Sequence, residues 1–125
     1  MAPKILIADD ESLICLLIEQ TLEDFEEQGA ELLIAENGEK ALQIARAEQP
    51  DLVFLDIMMP KLNGFEVCQA IKMDPRLKHT FVVLLTAKGQ EIDQQHGKQA
   101  GADVYITKPF DPDDLISLAE KVLAR

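Results

Sequence analysis

Five short apolar runs recur along the chain, each followed by a stretch of helical length, and this alternation limits the fold more than any other feature. The runs cover residues 4–8, 31–35, 52–56, 81–85 and 104–107. Continuous apolar runs of this length fit strands covered on both faces. Between them, residues 12–27 place Ile14, Ile18, Leu22 and Phe25 on one stripe at helical spacing. Residues 38–48 offer Ala41, Leu42 and Ala45, residues 64–73 offer Phe65, Cys68 and Ile71, and residues 112–124 offer Leu115, Leu118, Ala119 and Val122. Asp111 is suited to cap the last helix, with Pro112 at its first position and Lys121 and Arg125 near its end. Residues 89–100 form a weaker helix, holding Gly89 and Gly97 with Ile92 as the one large apolar residue between them. It is expected to be among the more mobile elements. Strict strand–helix alternation implies an α/β fold with a parallel sheet, right-handed crossovers and helices on both faces. At this length the doubly wound, flavodoxin-like order 2-1-3-4-5 is expected, with five helices and with ligands at the carboxyl ends of the strands.

The 125 residues fit one domain spanning 1–125, and 47% apolar with 28% charged residues fits a folded chain. The net charge of −11 argues against direct nucleic-acid binding, which needs a basic footprint. No apolar run approaches the roughly 18 residues that cross a bilayer. Met1-Ala2-Pro3-Lys4 lacks a signal-peptide pattern, so a cytoplasmic location without membrane contact is expected. Cys15 and Cys68 have no metal-ligand spacing and read as small, partly buried apolar residues. His79 and His96 have no partner pattern and read as surface residues.

The strand ends hold the chemistry. The first run ends in Asp9-Asp10, the third in Asp56, the fourth in Thr86 and the fifth in Thr107-Lys108-Pro109. Singly, each has an ordinary explanation: a helix cap for Asp9 or Asp10, a turn for Asp56, a strand end for Thr86, a solvated lysine for Lys108. In the order 2-1-3-4-5 they converge on one rim, whereas Glu36-Asn37, after the edge strand, stays outside. Three clustered carboxylates repel one another unless a cation offsets them. Hard oxygen donors with no His or thiolate nearby favour Mg²⁺, with Mn²⁺ able to substitute. Mg²⁺ takes one or two carboxylates tightly and leaves another to act as a nucleophile toward phosphorus. Asp56, at the middle of the group, is the favoured nucleophile. Asp9 and Asp10 would anchor the metal, and Lys108 and Thr86 would meet phosphoryl oxygens.

Five motifs occur in order: Leu6-Ile7-Ala8-Asp9-Asp10-Glu11, Leu55-Asp56-Ile57-Met58-Met59-Pro60, Asn63-Gly64, Leu85-Thr86-Ala87, and Gly101-Ala102-Asp103 leading to Tyr105-Ile106-Thr107-Lys108-Pro109-Phe110. With them, essentially the whole chain resembles the receiver domain of two-component response regulators. The resemblance implies that Asp56 is the phosphoacceptor. It implies Asp10 as a direct Mg²⁺ ligand, Asp9 as one acting through water, and Met58 as the donor of a backbone carbonyl. It further implies Thr86 as the switch hydroxyl, Tyr105 as the switch aromatic, and Lys108 as the phosphoryl-binding lysine before a cis bond to Pro109. The implied partners are a histidine kinase or phosphotransfer protein and a downstream target or output domain. The chain would catalyse its own phosphorylation and dephosphorylation without being an enzyme in the usual sense. Phosphorylation would draw Thr86 inward, let Tyr105 follow, and change the face made by residues 89–100, the fifth strand and the last helix. Val104 and Leu118 stand where one subfamily places an Asp and an Arg for dimer ion pairs, so a monomer or a different partner surface is expected. The resemblance also implies that Met58 and Lys88 stand at positions that tune hydrolysis by limiting water access, so slower self-dephosphorylation than in small-residue variants is expected. Other readings are a haloacid-dehalogenase-type phosphatase, which needs a DxD motif on its first strand, and a flavodoxin-like cofactor binder, whose phosphate Asp9-Asp10-Glu11 would repel. A phosphorylation-independent docking module is the fourth reading. The chain is either a stand-alone regulator or a piece of a larger one.

Overall fold

A computed structural model describes residues 2–87 and 100–124. Five strands, β1 (Lys4–Ala8), β2 (Glu31–Ala35), β3 (Leu52–Asp56), β4 (Phe81–Ala87) and β5 (Val104–Lys108), form one parallel sheet in the order β2-β1-β3-β4-β5. The described helices are α1 (Ser12–Thr21), α2 (Glu23–Glu27), α3 (Gly38–Glu48), α4 (Gly64–Met73) and α5 (Pro112–Leu123), with a 3₁₀ turn at Pro75–Leu77. The expected helix over 89–100, Lys88 and His96 lie outside the described residues, apart from Ala100. No helix among the described residues is long and apolar enough to cross a membrane.

Strand side chains alternate between faces, so each central strand feeds two cores. Leu6, Ala8, Val53, Leu55, Val82 and Leu84 meet Ala41 and Ala45 of α3 and Val67, Cys68 and Ile71 of α4. Ile5, Ile7, Leu52, Phe54, Val83 and Leu85 meet Cys15 and Ile18 of α1, Leu22, and Leu115, Ala119 and Val122 of α5. All the strand residues named are buried, as continuous apolar runs predict. The edge strand β2 departs from that expectation. Ile34 is exposed and Leu32 and Leu33 are only half-buried, because a marginal strand lacks a covering layer over its full width.

One helix over 12–27 is expected, and two are found. Leu22 interrupts it at φ −100°, ψ 13°, and its backbone carbonyl accepts from both Phe25 and Glu26. The break has an electrostatic reason. Glu23, Asp24 and Glu26 would crowd the negative C-terminal end of one long helix, whereas a restart places them in a first turn, where the dipole favours anions. Asp111 does cap α5, its side chain accepting from the Asp113 backbone. Neither Asp9 nor Asp10 is the N-cap of α1. That position is Glu11, whose side chain makes no capping bond.

Phe54 is the largest side chain with no exposure, whereas Leu13 is 79% exposed. Phe54→Ala is expected to cost about 3–5 kcal/mol in urea denaturation, and Leu13→Ala within about 0.5 kcal/mol. Equal losses in the two variants would contradict the core assignment.

Candidate functional site

Strand register brings the chemistry together. Ala8 of β1 pairs with Leu55 of β3, so the next residues, Asp9 and Asp56, emerge side by side. Asp56 pairs with Leu85 of β4, which puts Thr86 one step further along the same rim. Ala87 pairs with Lys108 of β5. A one-residue slip in any of these pairings would turn its side chains to the other face.

The Lys108 ammonium lies 3.1 Å from Asp9 Oδ2 and 3.3 Å from Asp56 Oδ1. The Glu11 backbone N–H donates to Asp9 Oδ1 at 2.9 Å, and that of Met58 donates to Asp56 Oδ1 at 3.4 Å. Asp9, Asp56 and Thr86 are buried, and Asp10 is exposed at the rim. One carboxylate oxygen from each of Asp9, Asp10, Glu11 and Asp56 lies within 4.8 Å of the others. A cavity of about 440 Å³ opens beside them, lined by Asp10, Glu11, Asp56, Met58 and Lys108 among others. Met58 is 68% exposed. The Lys108–Pro109 bond is cis. Tyr105 is half-buried, in register with Leu84, and packs against the core on the α3–α4 side. A second concavity, of about 360 Å³, lies at the opposite end of the sheet, and its Lys72 is already engaged by Asp103 and the Thr80 carbonyl.

Burial pushes the Asp56 carboxyl up to about 6, the Asp9 carboxylate adds to the rise, and Lys108 opposes it. For Lys108, burial pulls the ammonium down, but Asp56 and Asp9 together outweigh it and hold its pKa above the ordinary value. Among the described residues, four carboxylates thus face one ammonium. The donor set suits a hard divalent cation, because it is all oxygen and contains no imidazole. The nearby Cys15 thiol donates to the Asp9 backbone carbonyl at 3.4 Å. Burial raises it to about 11, so it stays protonated and is no ligand. The residues therefore fit Mg²⁺.

The structure brings Asp9, Asp10, Asp56, Met58 and Lys108 together around one cleft, and Thr86 directly follows Leu85, which lines it. Lys88 is outside the described residues. Glu11 joins the cluster without being a sequence candidate, and its place directly after two acids is the signal that marks it.

Asp56 binds a proton more tightly in the folded than in the unfolded chain. It therefore favours folding below its ordinary value of 3.8, and that contribution is lost as pH rises toward about 6. Asp56→Asn is expected to stabilise the protein in chelator at neutral pH, on the order of 2 kcal/mol. The gain should shrink in acid, and Mg²⁺ should raise the Tm of the parent more than that of the variant. A variant less stable than the parent in chelator would contradict this charge balance.

Known proteins resemble the chain over nearly its whole length. The chain is 40% identical over its whole length to the alkaline phosphatase synthesis transcriptional regulatory protein PhoP of Bacillus subtilis, covering 50% of that protein. It is 41% identical over 98% of its length to the DNA-binding dual master transcriptional regulator RpaA of Synechocystis, again covering 50%. The chain thus spans about half the length of these curated relatives. Chemotaxis protein CheY4 of Vibrio cholerae superposes with a TM-score of 0.85 at 32% identity, covering 98% of this chain and 99% of that one. The name of the Synechocystis relative limits one expectation. An acidic surface argues against nucleic-acid contact for these 125 residues, but that exclusion does not extend to longer proteins of this kind. Residues 5–120 match the family model described as the response regulator receiver domain, and the chain belongs to that family.

Proposed function

We propose that this chain is a phosphorylation-dependent switch in which Asp56 accepts a phosphoryl group from a histidine kinase or phosphotransfer protein. The observation that carries this reading is the shared ion pair of Lys108 with Asp9 and Asp56 inside a carboxylate cluster. Asp9, Asp10, Asp56 and the Met58 backbone carbonyl would hold Mg²⁺. When bound, Mg²⁺ supplies positive charge against the phosphoryl oxygens.

The protein's own part is positioning and charge. With a pKa of about 6, Asp56 is largely ionised at neutral pH and available as a nucleophile. Its carboxylate oxygen attacks phosphorus, the P–N bond of the phosphohistidine breaks, and the bonding pair returns to the imidazole. Lys108 then exchanges its Asp56 partner for a phosphoryl oxygen. The Thr86 hydroxyl donates to another, and the movement passes to Tyr105 and the β5–α5 face. Hydrolysis of the acyl phosphate resets the state, with Met58 and Lys88 tuning its rate. Val104 and Leu118 lack the charges for dimer ion pairs, which favours a monomer or a different partner surface. The downstream event is a change of partner, with a cytoplasmic location and, by analogy with the longer relatives, transcriptional output as one route.

Incubation with Mg²⁺ and acetyl phosphate should add one phosphoryl group by intact-mass spectrometry, and Asp56→Asn should add none. Uptake that persists in the Asn variant would move the acceptor elsewhere. Lys108→Ala should retain uptake while the shift in Tyr105 resonances on phosphorylation disappears.

A further inference from the structure

The loop from Ile57 to Asn63 carries Met58 and walls one side of the cleft. At its far end the Gly64 N–H donates to the Ile57 carbonyl at 2.9 Å, and Leu62 N–H bonds Pro60 inside the loop at 3.0 Å. Besides the Met58 N–H bond to the Asp56 carboxylate, one backbone–backbone hydrogen bond among the described residues reaches the Met58–Leu62 stretch from outside, that from Gly38 N–H to the Pro60 carbonyl at 3.4 Å. Lys61, in this stretch, has φ +77°, a conformation that a non-glycine residue keeps only when its surroundings hold it.

Gly38 opens α3 and is buried. Its φ lies outside the left-handed region, so backbone conformation does not call for glycine here. Space does. A Cβ at this position would lie 1.8 Å from the Leu62 carbonyl oxygen, 2.6 Å from its carbon and 2.7 Å from Leu62 Cβ. Two of those atoms are backbone, and no side-chain rotation can move them aside. Gly64 makes the matching approach from the other end, where a Cβ would lie 2.5 Å from the Asp56 carbonyl oxygen. Each glycine follows an asparagine cap: Asn37 accepts from the Lys40 backbone at 2.8 Å, and Asn63 from Glu66 at 2.9 Å. The loop is gripped between two Asn-Gly helix starts, one on α3 and one on α4.

We propose that Gly38 is a positioning residue for the acceptor site. By letting α3 close onto Leu62, it fixes the Met58 backbone relative to the Asp56 carboxylate and so sets affinity for a divalent cation. This rests on the function proposed above.

The test titrates Mg²⁺ into the full chain by calorimetry, with circular dichroism reporting the folded fraction. Gly38→Ala should bind Mg²⁺ about tenfold more weakly or worse, in the range found when groups behind metal ligands are altered. It should also shift the amide resonances of Met58–Leu62 in the metal-free protein. Gly29→Ala is the control. Gly29 has φ +111° and no neighbour within 4 Å of an added Cβ, so its loss is one of stability alone, and Mg²⁺ affinity should match the parent. Parental affinity in folded Gly38→Ala, or an equal loss in Gly29→Ala, overturns the proposal. If Gly38→Ala does not fold, Leu62→Ala decides, since it loosens the same seam: weaker Mg²⁺ binding supports the role and unchanged binding refutes it. A parent that neither binds Mg²⁺ nor takes up a phosphoryl group sinks the function and this inference together. A parent that does both, beside an unaffected Gly38→Ala, sinks the inference alone.

Discussion

The Lys108 ammonium, held between the Asp9 and Asp56 carboxylates, is the contact on which the site depends. Two buried carboxylates side by side would otherwise repel at close range in a poorly solvated setting. Lysine cannot complete the neutralisation, because Asp10 and Glu11 bring two further charges to the same rim. The incomplete balance makes the site receptive to a divalent cation. Burial, reinforced by the Asp9 charge, makes Asp56 basic enough to hold a proton in acid while remaining ionised at neutral pH. Folding must tolerate this charge, and the two apolar cores on either side of the sheet supply the opposing free energy.

Most of the fold was legible because its strands announce themselves. Val53, Phe54 and their neighbours on β1 and β4 are apolar on both faces, which only a sandwiched parallel strand requires. The strand order followed from chain length and alternation, and the site followed from reading what each strand ends with. Where sequence reasoning fell short, long-range context decided. The break at Leu22 arises from competition between a hydrophobic stripe that runs through it and acids that prefer a new first turn. The last two residues of β4, Thr86 and Ala87, join the ladder through Thr107 and Lys108, so the strand extends past its apolar run. The space taken up by Leu62 beside Gly38 involves residues far apart in sequence, and nothing local marks it.

The division of labour within the sheet is clear. The edge strand β2 contributes packing and no carboxylate to the cluster, although the carbonyl of its last residue, Ala35, accepts from the Asp9 N–H at 3.1 Å and the Gly38 N–H just after it bonds the Pro60 carbonyl. The central strands contribute the carboxylates, and β5 contributes the countercharge. Thr86, on β4, lies between the carboxylate-bearing strands and β5 in the sheet order, one residue past Leu85, the register partner of Asp56.

The sheet is also a partition. Leu84 and Leu85 are adjacent in sequence, yet each packs with a different set of helices. Distant, non-touching substitutions combine nearly additively. Drift on the α3–α4 side can therefore accumulate with little reference to the α1–α5 side, provided the backbone between them keeps its register. That independence gives a physical basis for relatives that share only roughly two residues in five with this chain.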